Sequence, residues 1–290
     1  MPELPEVETT VRGLKSRVLN RTFIDVWTDF QKMIKKPDNF AEFKKGIIGR
    51  EIENIKRRAK NILIEISGGK ILLIHQKMTG HLLVGRWEKT GNRWLPLIKG
   101  PLSDPTNSFI HLVFRLDKGM LALSDMRKFA KIELWDKKEL ENSEEFKKIG
   151  PEPLDKSFSF EKFKIALRDK NGKIKQVLMD PNVIAGIGNI YSDEILFRAK
   201  VHPLKIVPKL KENELKSIYR EMKIVLPKAI ELGGESFSDF RKVDGSKGFF
   251  DKERKVYRRE GEKCPVCGNV IKRIKIGGRS AHFCPSCQKI

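Results

Sequence analysis

Residues 264–287 read CPVCGNVIKRIKIGGRSAHFCPSC. A Cys-x-x-Cys pair stands at each end of this stretch, and 16 residues separate the two pairs. The spacing is typical of a zinc site on a β-hairpin, because each pair offers two thiolates from one tight turn. Four sulfur ligands leave no open position, so we expect one structural zinc ion held by Cys264, Cys267, Cys284 and Cys287. Free buried cysteines or a redox-active pair are the alternatives.

The opposite end of the chain, MPELPEVE over residues 1–8, carries a candidate nucleophile. Removal of Met1 would leave Pro2 with a free secondary amine. Its pKa should lie near the α-amino range of about 7.7–8.0, whereas a lysine at about 10.4 must first be desolvated. Such an amine can attack an aldehyde or a sugar C1′ and form an iminium, and Glu3 beside it could donate a proton. The plain alternative is a helix start, where proline and glutamate are both favoured.

The charge balance of the chain indicates a polyanionic partner. Lys and Arg number 59 against 38 Asp and Glu, which gives a formal net charge of +21. Nucleic acid is the leading partner, with a basic face on an ordinary enzyme or attraction to an anionic membrane surface as weaker alternatives. No apolar run approaches the length of a membrane span and no segment resembles a signal peptide. We therefore expect a cytoplasmic protein without a membrane partner.

Three regions of different pattern follow one another along the chain. Apolar residues at helical spacing predict a helix over residues 3–18, and short β-rich runs then predict an antiparallel sandwich or barrel. Helical periodicity begins after a boundary near residues 149–155. We predict an α+β protein of several domains: residues 1–149 form an N-terminal β-sandwich domain with its helix, residues 150–234 a helical domain, and residues 235–290 a basic loop region with the zinc-finger β-hairpin.

Individual elements follow from the same periodicity. The predicted strands cover residues 23–27, 51–57, 62–66, 71–74, 81–85, 109–116, 120–123 and 132–134, and residues 88–107 form a polar loop. The predicted helices of the second region cover residues 160–169, 174–179, 189–197 and 212–231.

Several separated motifs, in one order, resemble those of the formamidopyrimidine-DNA glycosylases within the broader endonuclease VIII-like superfamily. The resemblance runs from Pro2 to Gln288 and rests on PELPEVE at residues 2–8, RRAK at 57–60, MTG at 78–80, GIGNIY at 186–191, DGSKGFF at 244–250 and the zinc hairpin with Gly278 and Arg279. It implies that residues 1–149 form the catalytic domain and residues 150–234 a helix-two-turns-helix DNA-binding domain. It also implies that residues 235–290 contain a lesion-recognition loop region besides the zinc finger. The implied activity is base-excision repair: removal of oxidised purines such as 8-oxoguanine and formamidopyrimidines from duplex DNA, followed by cleavage of the abasic site.

The resemblance implies catalytic roles for four residues. Pro2 matches the nucleophile that displaces the base and forms a Schiff base at C1′, and Glu3 matches the general acid that protonates the sugar ring. Lys60 matches a lysine at the phosphate beside the lesion, with a part in β-elimination; by itself it reads as a solvated residue at a strand end. Arg279 matches an arginine that grips the flanking phosphates and is associated with δ-elimination. Since a guanidinium stays protonated, we favour an electrostatic role for it.

Further residues match positions that contact DNA or the sugar. Asn189 follows a Gly-Ile-Gly run at a helix start, where backbone can approach a phosphate, although it also fits an ordinary N-cap. The run is not a dinucleotide fingerprint, since the third glycine of that motif would fall at Tyr191. Lys175 aligns with a lysine that contacts the DNA backbone, with a solvated helix charge as an equal alternative. Glu6 either orients the sugar or is a surface carboxylate.

Extraction of a base leaves a gap in the stack, which an apolar or planar side chain can fill. Met78, Arg127 and Phe129 match the family residues that fill this gap, and we term them the wedge residues. Read alone, Met78 and Phe129 are more typical of a core.

The sequence departs from the family pattern around the wedge residues. Met126 and Lys128 replace a proline and an arginine, and Lys77 stands where glycine is common. Phe109 stands at the position of a DNA-contacting histidine, and we do not assign that role to His111.

Two rival functions stay open. An endonuclease VIII-like enzyme would prefer oxidised pyrimidines, but Leu4, where those relatives more often have glycine, favours the purine enzyme. A catalytically silent damaged-DNA-binding zinc protein is the other rival, and the presence of all four candidate catalytic residues argues against it. We expect a monomer that binds damaged double-stranded DNA, with one zinc ion and no organic cofactor.

Overall fold

The computed structural model describes residues 1–91, 93–237 and 239–290. Asn92, in the predicted polar loop, and Ser238, in the predicted basic loop region, lie outside the described residues. The chain forms two compact units: residues 1–147 with 232–251, and residues 148–231 with 252–290. None of the described helices has the length and apolar character that crossing a membrane requires.

The first unit is rich in β-structure, as the alternating pattern predicts. Its strands are β1 (Phe23–Thr28), β2 (Ile34–Lys36), β3 (Ile52–Arg58), β4 (Asn61–Ile66), β5 (Lys70–His75), β6 (His81–Gly85), β7 (Trp87–Thr90), β8 (Arg93–Pro96), β9 (Ile110–Leu116), β10 (Met120–Ser124) and β11 (Lys131–Asp136). Its helices are α1 (Leu4–Val18), α2 (Phe40–Ile47), α3 (Lys137–Asn142) and α4 (Glu144–Lys147). Every predicted strand is present, with ends that lie within two residues of the predicted ones.

Two sheets of the first unit share one apolar core. The strand order is β1-β9-β10-β6 in the four-stranded sheet and β2-β11-β5-β4-β3 in the five-stranded sheet. Val11 of α1 packs into the same core as Phe23 and Phe114 of one sheet and Ile74 of the other, all at most 4% exposed. Burial of each such side chain stabilises the fold by about 1.5–3 kcal/mol. The predicted sandwich is therefore confirmed, and its core holds α1 in place.

The structure corrects the predicted sandwich in three places. β2 runs parallel to β11, so the sheets are not wholly antiparallel; the long chain between these two strands allows the crossover that parallel pairing needs. Strand β2 and helix α2 were not predicted. The predicted polar loop contains the β7–β8 hairpin, because Trp94 packs edge-on against Trp27 with ring centroids 5.2 Å apart. A contact between residues so far apart in sequence does not appear in the local pattern of a polar segment, so the hairpin could not be predicted from it.

The second unit is helical and ends in a two-stranded hairpin. Its helices are α5 (Phe160–Leu167), α6 (Ile174–Met179), α7 (Asn189–Arg198) and α8 (Glu212–Glu231), and its strands are β12 (Lys272–Ile276) and β13 (Arg279–Phe283). Buried Glu194 of α7 accepts hydrogen bonds from the backbone N–H groups of residues 255–257. Burial raises the pKa of Glu194, and these hydrogen bonds oppose the increase. The segment that leads into the hairpin is thus fixed to α7.

Residues 232–251 belong to the first unit although they follow the helices of the second. The backbone N–H of Glu235 donates to Glu6, and the N–H of Val84 donates to the carbonyl of Val243 at 2.7 Å. Arg241 forms an ion pair with Asp104 at 3.2 Å. Each of these contacts joins residues more than a hundred positions apart, so the local sequence pattern does not reveal them. That pattern places residues 232–234 in the helical region and residues 235–251 in the basic loop region. The division into three sequence segments stays a prediction.

Candidate active site and zinc centre

One buried carboxylate fixes the start of the chain. Glu6 Oε2 accepts a hydrogen bond from the Glu3 backbone at 2.7 Å, and Glu6 Oε1 accepts one from the Glu235 backbone at 2.8 Å. Pro2 is buried, and Glu3 and Glu6 are each 1% exposed. The expectation that Glu6 could be a surface carboxylate is wrong, because its buried carboxylate joins the N-terminus to residues 232–251, which we term the returning segment.

Gly234 permits this junction. Its φ of +80° is a backbone conformation that favours glycine, and a Cβ there would lie 2.9 Å from Glu6 Oε1. A larger residue would therefore displace the carboxylate that holds Glu3. Gly234 thus lets the chain after α8 pack against the N-terminal segment.

The turn that carries Lys60 is tied to the same helix. Arg57 of β3 donates to Glu8 of α1 at 3.0 Å and to the Ala59 carbonyl at 3.0 Å, and Ala59 has a φ of +53°. Burial raises the pKa of Glu8, but hydrogen bonds and charges from Arg12 and Arg57 outweigh it and leave this pKa below its usual value. An ionised Glu8 thus anchors the Lys60 turn to the helix that begins beside Pro2 and Glu3.

His75 is a candidate functional residue that the sequence reasoning missed. It ends β5 opposite Asn61, the residue after Lys60, and opposite Lys131. Burial, followed by the charges of Lys77 and Lys60, lowers the pKa of His75 to about 3. Its Nδ1 accepts a hydrogen bond from the Lys77 backbone at 3.0 Å, so the neutral ring carries its proton on Nε2. The sequence offers one indication of this role: His75 lies three residues before Met78, a wedge residue.

The lowered pKa of His75 predicts how acid affects stability. An unfolded chain takes up a proton on this ring below about pH 6.5, whereas the folded chain does so only near pH 3. The wild type should therefore lose up to about 1.4 kcal/mol per pH unit from this residue as the pH falls through that window. Denaturant unfolding at pH 7, 5.5 and 4.5 should show a steeper loss for wild type than for His75→Gln. Equal slopes would contradict the placement of a neutral His75.

A buried aspartate connects the two segments that carry the wedge residues. Asp125 Oδ1 accepts a hydrogen bond from the Thr79 hydroxyl, and Asp125 Oδ2 accepts one from the Ala130 backbone at 2.8 Å. The Arg127 backbone donates to Thr79 Oγ1 at 3.1 Å. Thr79 adjoins Met78, so these bonds set the Met78 turn against the loop over residues 125–130.

The loop over residues 125–130 presents a planar, exposed surface. The Arg127 guanidinium lies over the Phe129 ring, 4.5 Å from its centroid, and Phe129 is 51% exposed. Phe129 is therefore not a core residue, whereas Met78 is half-buried. Lys77 and Lys128 have φ of +54° and +55°. A non-glycine residue there costs about 1–2 kcal/mol, which explains why glycine suits the position of Lys77.

In the second unit, α7 begins at Asn189, and its N-cap position is Gly188, which has no side chain to cap the helix. Asn189 Oδ1 is buried and has no hydrogen-bond partner among the described residues. Asn189 is therefore not an ordinary N-cap.

Lys175 has a different environment from the one expected. It is 0% exposed, and its Nζ donates to Asp193 Oδ1 at 2.5 Å, Ser192 Oγ at 3.2 Å and the Asn189 carbonyl at 3.3 Å. It is not a solvated helix charge. The predicted direct contact with the DNA backbone does not match this position either, because all three ammonium hydrogens are directed at protein acceptors.

The four cysteines meet as the spacing predicts. Their Sγ atoms all lie within 4.8 Å of one another, with Cys264 and Cys287 at 3.9 Å and Cys267 and Cys284 at 3.4 Å. Zinc–sulfur bonds of about 2.3 Å in a tetrahedron place sulfurs about 3.8 Å apart, so the donor set fits zinc. Arg279 starts β13 after two glycines and is exposed. The zinc ligands thus lie at the base of the hairpin that presents Arg279.

Family models match three parts of the chain. The formamidopyrimidine-DNA glycosylase N-terminal domain matches residues 1–132, the H2TH domain of the same enzymes matches residues 149–241, and a zinc finger found in FPG and IleRS matches residues 261–290. Together with the site, these matches define a DNA glycosylase that carries a zinc finger.

Full-length relatives make the assignment narrower. Formamidopyrimidine-DNA glycosylases of Pelotomaculum thermopropionicum and Streptococcus mutans are 36% and 37% identical, and each comparison covers 100% of both chains. Wild-type Lactococcus lactis Fpg bound to N7-benzyl-Fapy-dG DNA matches with a TM-score of 0.86 at 36% identity, and the same enzyme bound to abasic-site DNA matches with 0.86 at 34%. These structures cover at least 99% of both chains. The chain belongs to the formamidopyrimidine-DNA glycosylase family, which confirms the resemblance.

Proposed function

We propose that this chain removes oxidised purines, 8-oxoguanine and formamidopyrimidines, from duplex DNA in base-excision repair and then cleaves the abasic site. The observation that carries the proposal is the fixed N-terminus: Pro2 and Glu3 are held at the start of α1 by the buried Glu6 carboxylate. Solved Lactococcus lactis Fpg structures with Fapy-dG and abasic-site DNA support this substrate class.

The proposed chemistry begins at the amine of Pro2 after Met1 is removed. The nitrogen attacks C1′, a new C–N bond forms, and the glycosidic bond breaks with its electron pair leaving on the base, which takes up the proton that the attacking amine loses. Glu3 supplies a proton to the ring oxygen as the sugar opens, which gives the iminium. Loss of a C2′ proton then expels the 3′ phosphate, and a second elimination expels the 5′ phosphate. Hydrolysis of the iminium returns the free amine.

Polar and charged side chains of both units contact DNA phosphates in this proposal. Lys60 binds the phosphate beside the lesion and assists β-elimination, and neutral His75 adds an Nε2–H donor next to it. Asn189 at the start of α7 and Arg279 on the zinc hairpin bind flanking phosphates, and Arg279 stabilises charge during δ-elimination. Cys264, Cys267, Cys284 and Cys287 would hold one structural zinc ion, which would order the Arg279 hairpin and take no part in bond making.

The wedge residues fill the gap that base extraction leaves. The exposed Phe129 ring with the Arg127 guanidinium above it forms a flat surface of the right kind to stack on the remaining bases. This geometry favours an enzyme that extracts a base over a protein that only binds damage. A monomeric state, a cytoplasmic location and the absence of an organic cofactor stay predictions from the sequence.

Replacement of Phe129 tests the wedge. Phe129→Ala should slow excision of 8-oxoguanine about tenfold, since loss of about 1.4 kcal/mol of compensation for unstacking has that effect, and should spare cleavage of a preformed abasic site. Single-turnover rates on both duplexes measure the two steps. Met126→Ala is the matched control, because Met126 is equally exposed at 52% and is not a wedge residue.

Three outcomes would count against the wedge assignment. Equal losses on both duplexes would mean that Phe129 supports general DNA binding. No loss on either duplex would exclude Phe129 as a wedge residue. Slow excision by Met126→Ala alone would place the wedge at Met126.

Substrate choice is tested by a comparison of two lesions. We expect faster single-turnover excision of 8-oxoguanine than of 5-hydroxycytosine from otherwise identical duplexes. The reverse order would favour the pyrimidine-specific rival, and binding without excision of either base would favour the silent damage-binding protein.

A further inference from the structure

A buried charge network joins three elements of the second unit. Lys175 lies on α6, Asp193 on α7 and His282 on β13, and each is at most 3% exposed. Lys175 Nζ donates to Asp193 Oδ1 at 2.5 Å, and Asp193 Oδ2 lies 2.9 Å from both the backbone N and the Nδ1 of His282. We term Lys175, Asp193 and His282 the Asp193 network.

One end of the network fixes the first turn of α7. The other two hydrogens of the Lys175 ammonium go to the Asn189 carbonyl and to Ser192 Oγ, at 3.3 and 3.2 Å. The position of Asn189 therefore depends on where Lys175 is held. A cation at a helix N-terminus is opposed by the helix dipole, so the lysine needs the Asp193 carboxylate to remain there.

The other end of the network reaches the hairpin that carries Arg279. His282 stands three residues after Arg279 on the same strand. The turn before Arg279 makes a second close contact, with α6. A Cβ on Gly277 would lie 2.3 Å from the Gln176 side-chain amide of that helix. The hairpin thus rests on α6 and α7 at two separate points, beside the lysine that holds Asn189.

Stability alone does not account for this arrangement. A buried ion pair gains little over well-packed apolar residues, because desolvation offsets the attraction. Its charge-assisted hydrogen bonds do, however, fix the distance and direction between its partners. The network offers that geometry between two residues that are far apart in sequence and that match DNA-contacting positions.

We propose that the Asp193 network is a positioning device that holds Asn189 and Arg279 at a fixed spacing, so that the two bind the DNA backbone as one surface. Its three members are positioning residues and do not touch DNA. The inference rests on the proposed function, since it takes Asn189 and Arg279 as the phosphate contacts.

The test replaces the pair without a change of net charge. Lys175→Met combined with Asp193→Leu should weaken binding of a duplex with a tetrahydrofuran abasic analogue about tenfold at 0.1 M salt. The slope of log K against log salt should become shallower by about 0.9, the value for one lost phosphate contact. Zinc content and circular dichroism should match wild type.

Two comparisons separate positioning from general support of the fold. Lys205→Met with Glu214→Leu removes another ion pair of the same unit, 2.7 Å long, and should leave affinity and slope unchanged. In a background with Asn189→Ala and Arg279→Ala, the Lys175→Met, Asp193→Leu replacement should cost less than about twofold. If the full tenfold loss remains in that background, the proposal is wrong. It is also wrong if the Lys175→Met, Asp193→Leu protein binds like wild type.

A folding failure has its own control. If the paired replacement loses zinc or secondary structure, Asp193→Asn takes its place, since an amide retains one acceptor for His282; it should show a smaller loss with the same dependence on Arg279. Wild-type slope and affinity for Asp193→Asn would then refute the network. Binding of the analogue needs no chemistry, so this result does not depend on whether Pro2 is the nucleophile.

Discussion

Pro2→Gly should lose at least about 100-fold in the rate of 8-oxoguanine excision, which corresponds to about 2.7 kcal/mol in the barrier. Glycine retains an α-amino group but not the secondary amine or the ring that holds it in one orientation. The fold should remain intact, because Pro2 precedes α1 and the capping box of Glu3 and Glu6 does not use its side chain. Single-turnover excision and thermal unfolding measure the two effects.

Pro5→Ala is the matched control for this variant. Pro5 is a second buried proline at the start of the same helix, but its nitrogen is part of the chain and cannot attack a sugar. We expect its excision rate to lie within about threefold of wild type. A Pro5→Ala loss as large as that of Pro2→Gly would mean that both prolines act through the packing of α1.

Loss of zinc should weaken DNA binding by about 100-fold or more. In Cys264→Ser the remaining ligands hold the ion poorly, and a two-stranded hairpin such as β12–β13 has little stability by itself. The hairpin should then lose its order, and Arg279 its position, whereas the sandwich core is built from other residues. Titration of the tetrahydrofuran duplex and metal analysis are the measurements.

The chain offers a reporter that separates the two units. All four tryptophans, Trp27, Trp87, Trp94 and Trp135, lie in the first unit, so their fluorescence follows its unfolding alone. The tryptophan midpoint of Cys264→Ser should equal that of wild type. Cys264→His supplies a ligand that zinc accepts and should recover most of the affinity. A lower tryptophan midpoint, or full affinity without zinc, would contradict a local role of the metal.

Local pattern was sufficient for much of the fold. Alternation of apolar residues predicted the strands that enclose Phe23 and Phe114, and the Cys-x-x-Cys spacing predicted the sulfur cluster of Cys264 and its partners. In both cases the spacing of a few neighbouring residues determines the structure. The motifs that indicate the family are also short, contiguous stretches.

What the sequence could not provide depends on contacts between distant residues. Lys175 has the pattern of an exposed helix residue, and only the fold brings Asp193 to it. The pKa of His75 is lowered by burial, and then by the charges of Lys77 and Lys60, once β4 and β5 have paired. Arg241 joins the returning segment to Asp104 across more than a hundred residues. Charge partners of this kind have no signature in a single sequence.

The central claim, that the N-terminal amine of Pro2 is the nucleophile, is tested most directly by trapping. Wild-type protein is incubated with an 8-oxoguanine duplex in borohydride, which reduces an iminium to a stable amine, and the digested adduct is mapped by mass spectrometry. We expect the DNA on an N-terminal peptide that lacks Met1 and begins with Pro2. An adduct on Lys60 or another lysine, or an active protein that retains Met1, would contradict it.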